Sequence, residues 1–375
     1  MNIKNASFID YKTLNILFLF FPATFLIGNA AVNINILLIC ITGIVVFRKK
    51  IFSFKNERLS AVILIFFILV LVSTLIDISK NPKNDHFFKS IAYFRYFFLF
   101  LVSSCLVRSG KFKIKYFLVS CLVCLLFLSL DIIYQFLNGS DIFGFVDHSP
   151  NHLAGFLKNE YVAGGYIQKF FVFALILIPI IWKKLDKPKF LISTALPIIF
   201  FSGILFSGNR MPLVMFCISI LLMIILIKEL RLPLTIASLF CVLIFTISIK
   251  MNDNLRAYHG SFYDNSSYIM KNFSMTNIKK YAFKNYPKLE RGEKKYFVGK
   301  LVESENQGSS HDLVLKYDVI PGFGSGHLII YLTAIDIWID NPIIGNGIKS
   351  FRIKCWTKLH LPNRACSTHP HNYYL

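Results

Sequence analysis

Long runs of apolar residues alternate with short polar stretches along the first two thirds of the chain. Each run is about long enough to cross a bilayer as a helix, which takes about 17–25 residues. The pattern predicts nine membrane-spanning helices, at about 13–28, 30–47, 59–76, 87–107, 114–137, 165–182, 190–206, 211–228 and 232–249. Proline lies inside three of them, at Pro22, Pro179 and Pro197, and helix bundles in membranes tolerate such prolines.

The pattern changes near residue 250. Residues 250–325 are polar and basic, whereas HLIIYLTAIDIWID, residues 327–340, has the periodicity of a helix that ends before Pro342. One broad face of this helix carries Leu328, Tyr331, Leu332, Ile335, Trp338 and Ile339. A Gly-Asn-Gly turn at 345–347 leads into a second short helix. The pair is too polar to span a membrane, so we expect it to lie along the membrane surface or to pack on the bundle.

The composition agrees with an integral membrane protein. The 375 residues are 55% hydrophobic and only 16% charged, against about a quarter charged in average globular chains. The net charge of +21 would suggest nucleic acid as a partner of a soluble protein. Here the basic residues cluster between apolar runs, which favours a role in orientation and in contact with anionic membrane lipids over nucleic-acid binding.

The distribution of Lys and Arg among the loops predicts the topology. Basic residues number five in 48–58, four in 108–115, four in 183–189 and two in 228–231. The alternate loops are poor in them, with two in 77–86, one in 138–164 and only Arg210 in 207–210. Because basic loops stay in the cytoplasm, the N-terminus is expected to be cytoplasmic. We therefore expect an all-α polytopic bundle over residues 1–249, and a large extracytoplasmic loop with amphipathic helices over residues 250–375.

Three polar stretches fall on the predicted outer side: residues 138–164, 207–212 and 366–375. They open on the same side, so they are candidates for one common site. Arg210 begins a predicted span, where a charge is costly and rarely without a role. Its planar fork suits phosphate or carboxylate recognition, and the alternative is an interfacial arginine that reaches the lipid headgroups.

The terminal stretch CSTHPHNYYL carries the residues best suited to proton transfer. His369 and His371 flank a proline, so this segment is expected to be extended. Histidine suits general base catalysis, and Asn372 suits orienting an imidazole or a substrate oxygen. The alternative is a solvent-exposed polar cap before another helix. In the first stretch, His152 and Lys158 lie among glycines that permit close backbone approach, although an ordinary turn would use glycine in the same way.

Cys355 and Cys366 differ from the other cysteines because they lie in a polar segment. With His369 and His371 they form a Cys/His set of the kind that zinc accepts. The spacing of the two cysteines is not that of a zinc knuckle, and the outer side of a bacterial inner membrane favours oxidised pairs. We therefore favour a disulfide between Cys355 and Cys366 and no metal site.

Four stretches resemble the O-antigen ligase and O-antigen polymerase superfamily of bacterial inner-membrane enzymes. They are HLAGFLKNEYVAGGYI (152–167), FSGNRMPLV (206–214), IWIDNPIIGNGIKSFR (337–352) and HPHNYYL (369–375). Each motif alone is weak, but their order and spacing fit the family over most of the chain. In the family further helices follow the H-x-H-N segment, so the resemblance implies that this chain lacks C-terminal spans and is a fragment.

The resemblance also implies roles for single residues. Arg210, in the stretch SGNR (207–210), would take the place of the arginine of the family's S-x-R motif and hold the phosphates of the donor. His371 matches the most characteristic histidine and would be the base that activates the acceptor hydroxyl, with His369 in support. The family often places arginine where this chain has His152 and His327. Either Lys158 or the basic stretch 271–300 then compensates for these arginines, or the activity differs from that of the family.

The activity implied is transfer of a glycan from undecaprenyl diphosphate to an outer-face acceptor, without a metal or cofactor. A ligase would use lipid A-core as the acceptor in lipopolysaccharide biosynthesis, whereas a polymerase would join lipid-linked repeat units. Two other classes remain open. A transporter would use charges inside spans, for which Asp131 and Arg95 are the candidates, and a structural component of a polysaccharide export complex would need no catalytic residue.

Overall fold

The computed structural model describes residues 11–52, 58–80, 87–146, 152–158, 162–182, 186–256, 259–260 and 326–359, together with Arg364 and Cys366. Within these residues the chain is 84% helical and contains no strand. The helices are α1 (Tyr11–Ile27), α2 (Asn29–Phe47), α3 (Arg58–Lys80), α4 (Phe87–Tyr93), α5 (Arg95–Arg108), α6 (Ile114–Asn138), α7 (Ala163–Ile181), α8 (Lys187–Phe206), α9 (Arg210–Leu226), α10 (Arg231–Met251), α11 (Gly326–Asp340) and α12 (Phe351–Lys354).

Seven segments within the described residues are long and apolar enough to cross a membrane, with α4 and α5 together forming one of them. The apolar helices α1 and α9 have 17 residues each and stand at the lower limit of length. Each of the nine predicted spans corresponds to a helix or, in the fourth, to a pair of helices. The prolines at 22, 179 and 197 lie inside α1, α7 and α8, as predicted. The part of the chain that the structure describes is therefore all-α and has the character of a multi-pass membrane protein.

The fourth span is interrupted at Phe94, between α4 and α5. Arg95 begins α5, and its guanidinium donates hydrogen bonds to the Ala92 carbonyl and the Tyr96 hydroxyl, both at 3.1 Å. The same guanidinium lies 4.6 Å from the centroid of the Tyr96 ring. These contacts stabilise the charge of Arg95 locally.

The chain divides into two compact units that do not follow chain order. The first comprises Met1–Ser53 and Phe98–Ser261, and the second comprises Phe54–Phe97 and Phe262–Leu375. The second unit therefore groups α3 and α4 with the C-terminal helices α11 and α12. The predicted boundary at residue 249 follows chain order instead.

The core of the first unit forms around α6, which packs against α1, α7 and α8. Its fully buried side chains include Leu128, Ile167, Phe171 and Phe200. Near one end of the bundle the rings of Phe136 and Phe206 stack, with centroids 3.9 Å apart. The buried hydroxyls of Ser193 and Ser202 donate to main-chain carbonyls one turn earlier in α8, which satisfies them without water.

In the second unit, α11 ends before Pro342, as predicted. The face that packs carries Ile330, Thr333, Ala334 and Ile337, and it lies against Phe351, Cys355 and Cys366. The face identified from the sequence differs, because Tyr331, Trp338 and Ile339 are exposed. The helix is apolar on both sides, so periodicity alone did not identify the side that the protein buries.

The Gly-Asn-Gly turn is bound to α3. The N–H groups of Gly347 and Ile348 donate to the hydroxyls of Ser73 and Thr74, at 2.9 and 3.2 Å. A Cβ on Gly347 would lie 2.9 Å from the Cα of Thr74, so only glycine permits this approach. The turn thus provides hydrogen-bond donors to two hydroxyl groups of a largely apolar helix.

Candidate functional site

Two polar side chains in the last turns of α6 hold the connection between α6 and α7. Asp131 and Gln135 are only 2% and 1% exposed. The Asp131 carboxylate accepts hydrogen bonds from the N–H groups of Ile142, at 3.0 Å, and Phe156, at 2.7 Å. The Gln135 side-chain oxygen accepts from the N–H of Gly155 at 2.9 Å. These bonds give Asp131 a structural role as the anchor of the connection.

Residue 155 must be glycine for the Asp131 carboxylate to lie this close to the connection. Its φ is +58°, and a Cβ there would lie 2.6 Å from the nearer Asp131 oxygen. Of the two predicted phosphate-binding residues in this connection, His152 is half-buried and Lys158 is exposed. Lys158 also has a left-handed backbone, with φ of 57°, which is uncommon for a residue that has a Cβ.

The start of α7 contacts the connection between α8 and α9. A Cβ on Gly164 would overlap the Ser207 hydroxyl and lie 2.8 Å from the Cβ of Asn209. Ser207 is fully buried and donates to the Ile204 carbonyl, while the Asn209 side chain donates to the Ser207 carbonyl at 2.9 Å. Two of the three polar stretches predicted to converge are therefore in contact.

Arg210 is the first residue of α9 and is half-buried. The first turn of a helix presents N–H groups that have no partner within the helix, and the helix dipole adds a partial positive charge there. The guanidinium adds a full positive charge at the same end. This combination favours an anionic group, which is the chemistry expected of Arg210 from the sequence.

His259 is a further residue of this site, and no motif in the sequence marks it. Its ring contacts the Phe245 ring of α10 edge to face, with centroids 5.6 Å apart. Burial lowers the pKa of His259 below its usual value of 6.5, and the positive charge of Arg210 lowers that pKa further. Arg210 and His259 therefore act on each other electrostatically. A histidine shortly after the last predicted span was the only signal in the sequence.

The third polar stretch lies largely outside the described residues. His369, His371 and Asn372 are all in this category, and of His327 the structure describes only its position in α11. Cys355 and Cys366 form a disulfide, with Cα atoms 5.2 Å apart. Among the described residues, no group of three or more His, Cys, Asp or Glu side chains has a metal-binding arrangement.

No protein-family model matches the chain, and no curated protein or solved structure matches it either.

Proposed function

We propose that this protein is an O-antigen ligase-like glycosyltransferase of the bacterial inner membrane. It transfers a glycan from undecaprenyl diphosphate to an acceptor, lipid A-core, on the periplasmic face. The observation that carries the proposal is the contact of Gly164 with Ser207 and Asn209. This contact joins two of the stretches that resemble the family, and Arg210 follows directly in the chain.

The disulfide supports the proposed topology. Stable disulfides belong to oxidising compartments such as the periplasm. The pair Cys355–Cys366 lies in the segment for which the loop charges predict a periplasmic location. The six remaining cysteines are all in apolar helices and form no disulfide with one another.

The proposed reaction is an inverting displacement at the anomeric carbon. The acceptor hydroxyl oxygen forms the new bond to this carbon, and the bond from the carbon to the diphosphate oxygen breaks. His371 takes the hydroxyl proton, with His369 and Asn372 in support, and undecaprenyl diphosphate leaves with the electron pair. Arg210 stabilises the charge that develops on the diphosphate. His152, Lys158 and His327 are the proposed further contacts to the donor.

The main alternative is a polymerase that joins lipid-linked repeat units through the same residues. A transporter is less well supported, because the two charges that would serve it have local partners. Asp131 accepts two main-chain hydrogen bonds, and Arg95 binds Ala92 and Tyr96. A structural component of an export complex would tolerate substitution of both Arg210 and His371.

The test is complementation of a strain that lacks the gene, scored by lipopolysaccharide gel at matched membrane levels. Arg210→Ala and His371→Ala are expected to lose long-chain material, since removal of one stabilising group costs about 100- to 1,000-fold in rate. Arg256→Ala is the matched control, because Arg256 is exposed and pairs with Asp253.

The pattern of loss separates the alternatives. Loss of a ligase leaves the polymer attached to the polyprenyl carrier, whereas loss of a polymerase leaves single repeat units on lipid A-core. Full activity of both substituted proteins would overturn the proposal of glycan transfer and leave the structural role.

A further inference from the structure

A small apolar pocket lies between α1, α5 and α6 in the first unit. Its volume is about 240 Å³. A protein cavity of roughly 150 Å³ is large enough to hold benzene, so this pocket can take part of a hydrocarbon chain. The hydroxyl of Ser103, which lines the pocket, already donates to the Leu99 carbonyl at 2.7 Å. The rest of the lining is apolar and includes Phe18 and Phe21 of α1, Leu106 of α5 and Phe117 of α6.

The turn between α5 and α6 brings positive charge to this pocket. Phe112 lines the pocket and contacts the Phe18 ring edge to face, with centroids 5.4 Å apart. The residues on either side of Phe112, Lys111 and Lys113, have exposed side chains. The buried Asn15 of α1 fixes the main chain of this turn, since its side chain donates to the Lys111 carbonyl at 3.0 Å and accepts from the Lys113 N–H at 2.7 Å. Two ammonium groups are thus attached to a fixed turn beside an apolar pocket.

The pocket opens to the surface of the bundle at Val107. This residue lines the pocket and is 59% exposed. Arg108, the next residue, ends α5 and has an exposed side chain. The apolar opening and the cationic groups are therefore adjacent, which is the arrangement that a ligand with a hydrocarbon chain and an anionic head group requires.

A second basic loop lies at the same end of the first unit. A short helical turn over Arg48–Phe52 follows α2, and the carbonyl oxygen of Lys50 in this turn lies 3.9 Å from the Cys105 thiol of α5. The sequence carries no Asp or Glu in 11–56 or in 95–130, so no acid within these segments offsets the charge. The exposed basic residues of the two loops form what we call the basic end: Arg48, Lys50, Arg108, Lys111, Lys113 and Lys115.

The basic end is far from the connection between α6 and α7. Lys113 directly precedes α6, whereas Gln135, which holds that connection, lies near the other end of the helix. The rise between them is about 30 Å, which is about the hydrocarbon thickness of a bilayer. The loop charges predict that the basic end is cytoplasmic, so a ligand there lies on the opposite membrane face from the proposed reaction.

We propose that this pocket binds an anionic phospholipid of the leaflet next to the basic end, with one acyl chain between α1, α5 and α6 and the phosphate against Lys111 and Lys113. The apolar lining accommodates the chain. The cluster of cations without acids in the same segments favours an anionic head group over a zwitterionic one, as in other basic pockets between membrane helices. The proposal does not depend on the proposed function.

The test uses the full chain in phosphatidylcholine nanodiscs that contain a trace of a photoreactive lipid. Two such probes carry the same diazirine-bearing acyl chain, one on phosphatidylglycerol and the other on phosphatidylcholine. After irradiation, peptide mapping is expected to find the phosphatidylglycerol probe in 99–107 or 112–117. Each basic residue near an anionic lipid contributes about fivefold to binding, so this probe should label these segments at least about fivefold more than the phosphatidylcholine probe.

Two pairs of lysines separate a specific site from general surface charge. Lys111→Gln together with Lys113→Gln should remove most of the preference for the phosphatidylglycerol probe. Lys187→Gln together with Lys228→Gln is the matched control and should keep the preference, because these lysines belong to other basic loops of the same predicted side. All four side chains are exposed, so both proteins are expected to fold.

Two valines test the pocket itself. Val107 lines it and Val123 of α6 does not, yet their exposed fractions are 59% and 60%. Val107→Trp fills the pocket and should lower the labelling by the phosphatidylglycerol probe about tenfold, whereas Val123→Trp should leave it unchanged. Since both positions are exposed, both proteins are expected to fold.

Four results would overturn the proposal. Equal labelling by the two probes would mean that any lipid enters the pocket, and no labelling by either would mean that protein covers it. An equal loss of preference in the two lysine pairs would assign the preference to general charge. Equal labelling of the two tryptophan variants would place the lipid elsewhere. Glycan transfer, scored by lipopolysaccharide gel, is a separate measurement, so the failure of one proposal leaves the other standing.

Discussion

Lys354 pairs with Asp77 across a distance of 2.5 Å, although the two residues lie in distant parts of the sequence. Asp77 belongs to α3, a helix long and apolar enough to cross a membrane, and its side chain is 6% exposed. The Lys354 ammonium also donates to the Asn346 side-chain oxygen at 2.7 Å. A carboxylate on such a helix is costly without a partner, and the C-terminal segment supplies that partner.

Lys354→Ala should destabilise the protein by about 3–5 kcal/mol, because it removes the cation that is paired with the buried Asp77 carboxylate. Thermal unfolding in detergent would measure the loss. Lys358→Ala is the matched control in the same segment. Its partner Asp340 is 50% exposed, so this substitution should cost at most about 1 kcal/mol. Equal losses in the two variants would show that the burial of Asp77 does not matter.

Gly347→Ala should release the turn from α3, since the added methyl group would lie against the Thr74 main chain. Gly345→Ala is the control, because Gly345 has a similar φ of +76° but space for a Cβ. The control should cost about 1–2 kcal/mol for its left-handed backbone. Gly347→Ala should lower the free energy of unfolding by more than this control does. It should also expose the main-chain N–H of residue 347, and hydrogen exchange at this N–H would test the prediction.

Asp131→Asn should loosen the connection between α6 and α7. The amide retains one acceptor oxygen, so one of the N–H groups of Ile142 and Phe156 loses its acceptor, at a cost of about 1–3 kcal/mol. Limited proteolysis should then cut within residues 139–162 faster than in the unsubstituted protein. Asp253→Asn, at an exposed position, should not change the cutting. An unchanged rate in Asp131→Asn would contradict the anchoring role.

The stability should depend on pH through His259. Its pKa is lower in the folded protein than the usual 6.5, because of burial and of Arg210. Below pH 6.5 the unfolded chain therefore takes up this proton before the folded one, and stability falls as pH falls. Between pH 7.5 and 5.5 the Tm should drop further in the unsubstituted protein than in His259→Gln. If the Tm of the two proteins fell equally over this pH range, the prediction would be wrong.

The disulfide can be tested by counting thiols. Of the eight cysteines, Cys355 and Cys366 should resist a maleimide reagent in denaturant until a reductant is added, whereas the other six should react at once. Closing a loop of this length should stabilise the fold by about 3 kcal/mol. Cys355→Ser should therefore lower the Tm, and the double variant with Cys366→Ser should lower it no further. Eight thiols that react without reductant would exclude the pairing.

The membrane helices were predictable because their length is set by the bilayer, and an apolar run such as 114–137 has no other stable arrangement in lipid. The interruption between α4 and α5 at Phe94 was not predictable, since neither proline nor glycine marks it. It coincides with the contacts that Arg95 makes to Ala92 and Tyr96. The end of α11 followed from Pro342. The face of α11 that packs did not follow from the sequence, because Ile330 and Ile337 on that face are no more apolar than Ile339 on the exposed side.

The candidate site was predictable only where one residue carries the signal. Arg210 is a charge at the start of an apolar run, and its position in the structure matches that expectation. His259 depends on a contact with Phe245 and on the charge of Arg210, and neither is local in sequence. The sequence makes Asp131 a candidate for the transporter alternative because it is an acid inside a predicted span. The main-chain donors that it binds lie in a loop without periodicity, so no local pattern pairs them with it. Local pattern identifies charges, whereas tertiary structure decides their partners.

The contact between Ser73 and Gly347 has a consequence for biosynthesis, because the two residues are 274 positions apart. At roughly 5–20 residues per second, the ribosome needs about 14–55 s to reach the turn after it has made α3. During that interval Ser73, Thr74 and Asp77 have no partner from the C-terminal segment. The translocation machinery must therefore hold α3 without the ion pair between Asp77 and Lys354 until translation delivers Lys354. The second unit is completed late, and a ribosome that stalls before residue 345 would leave α3 as a substrate for membrane proteases.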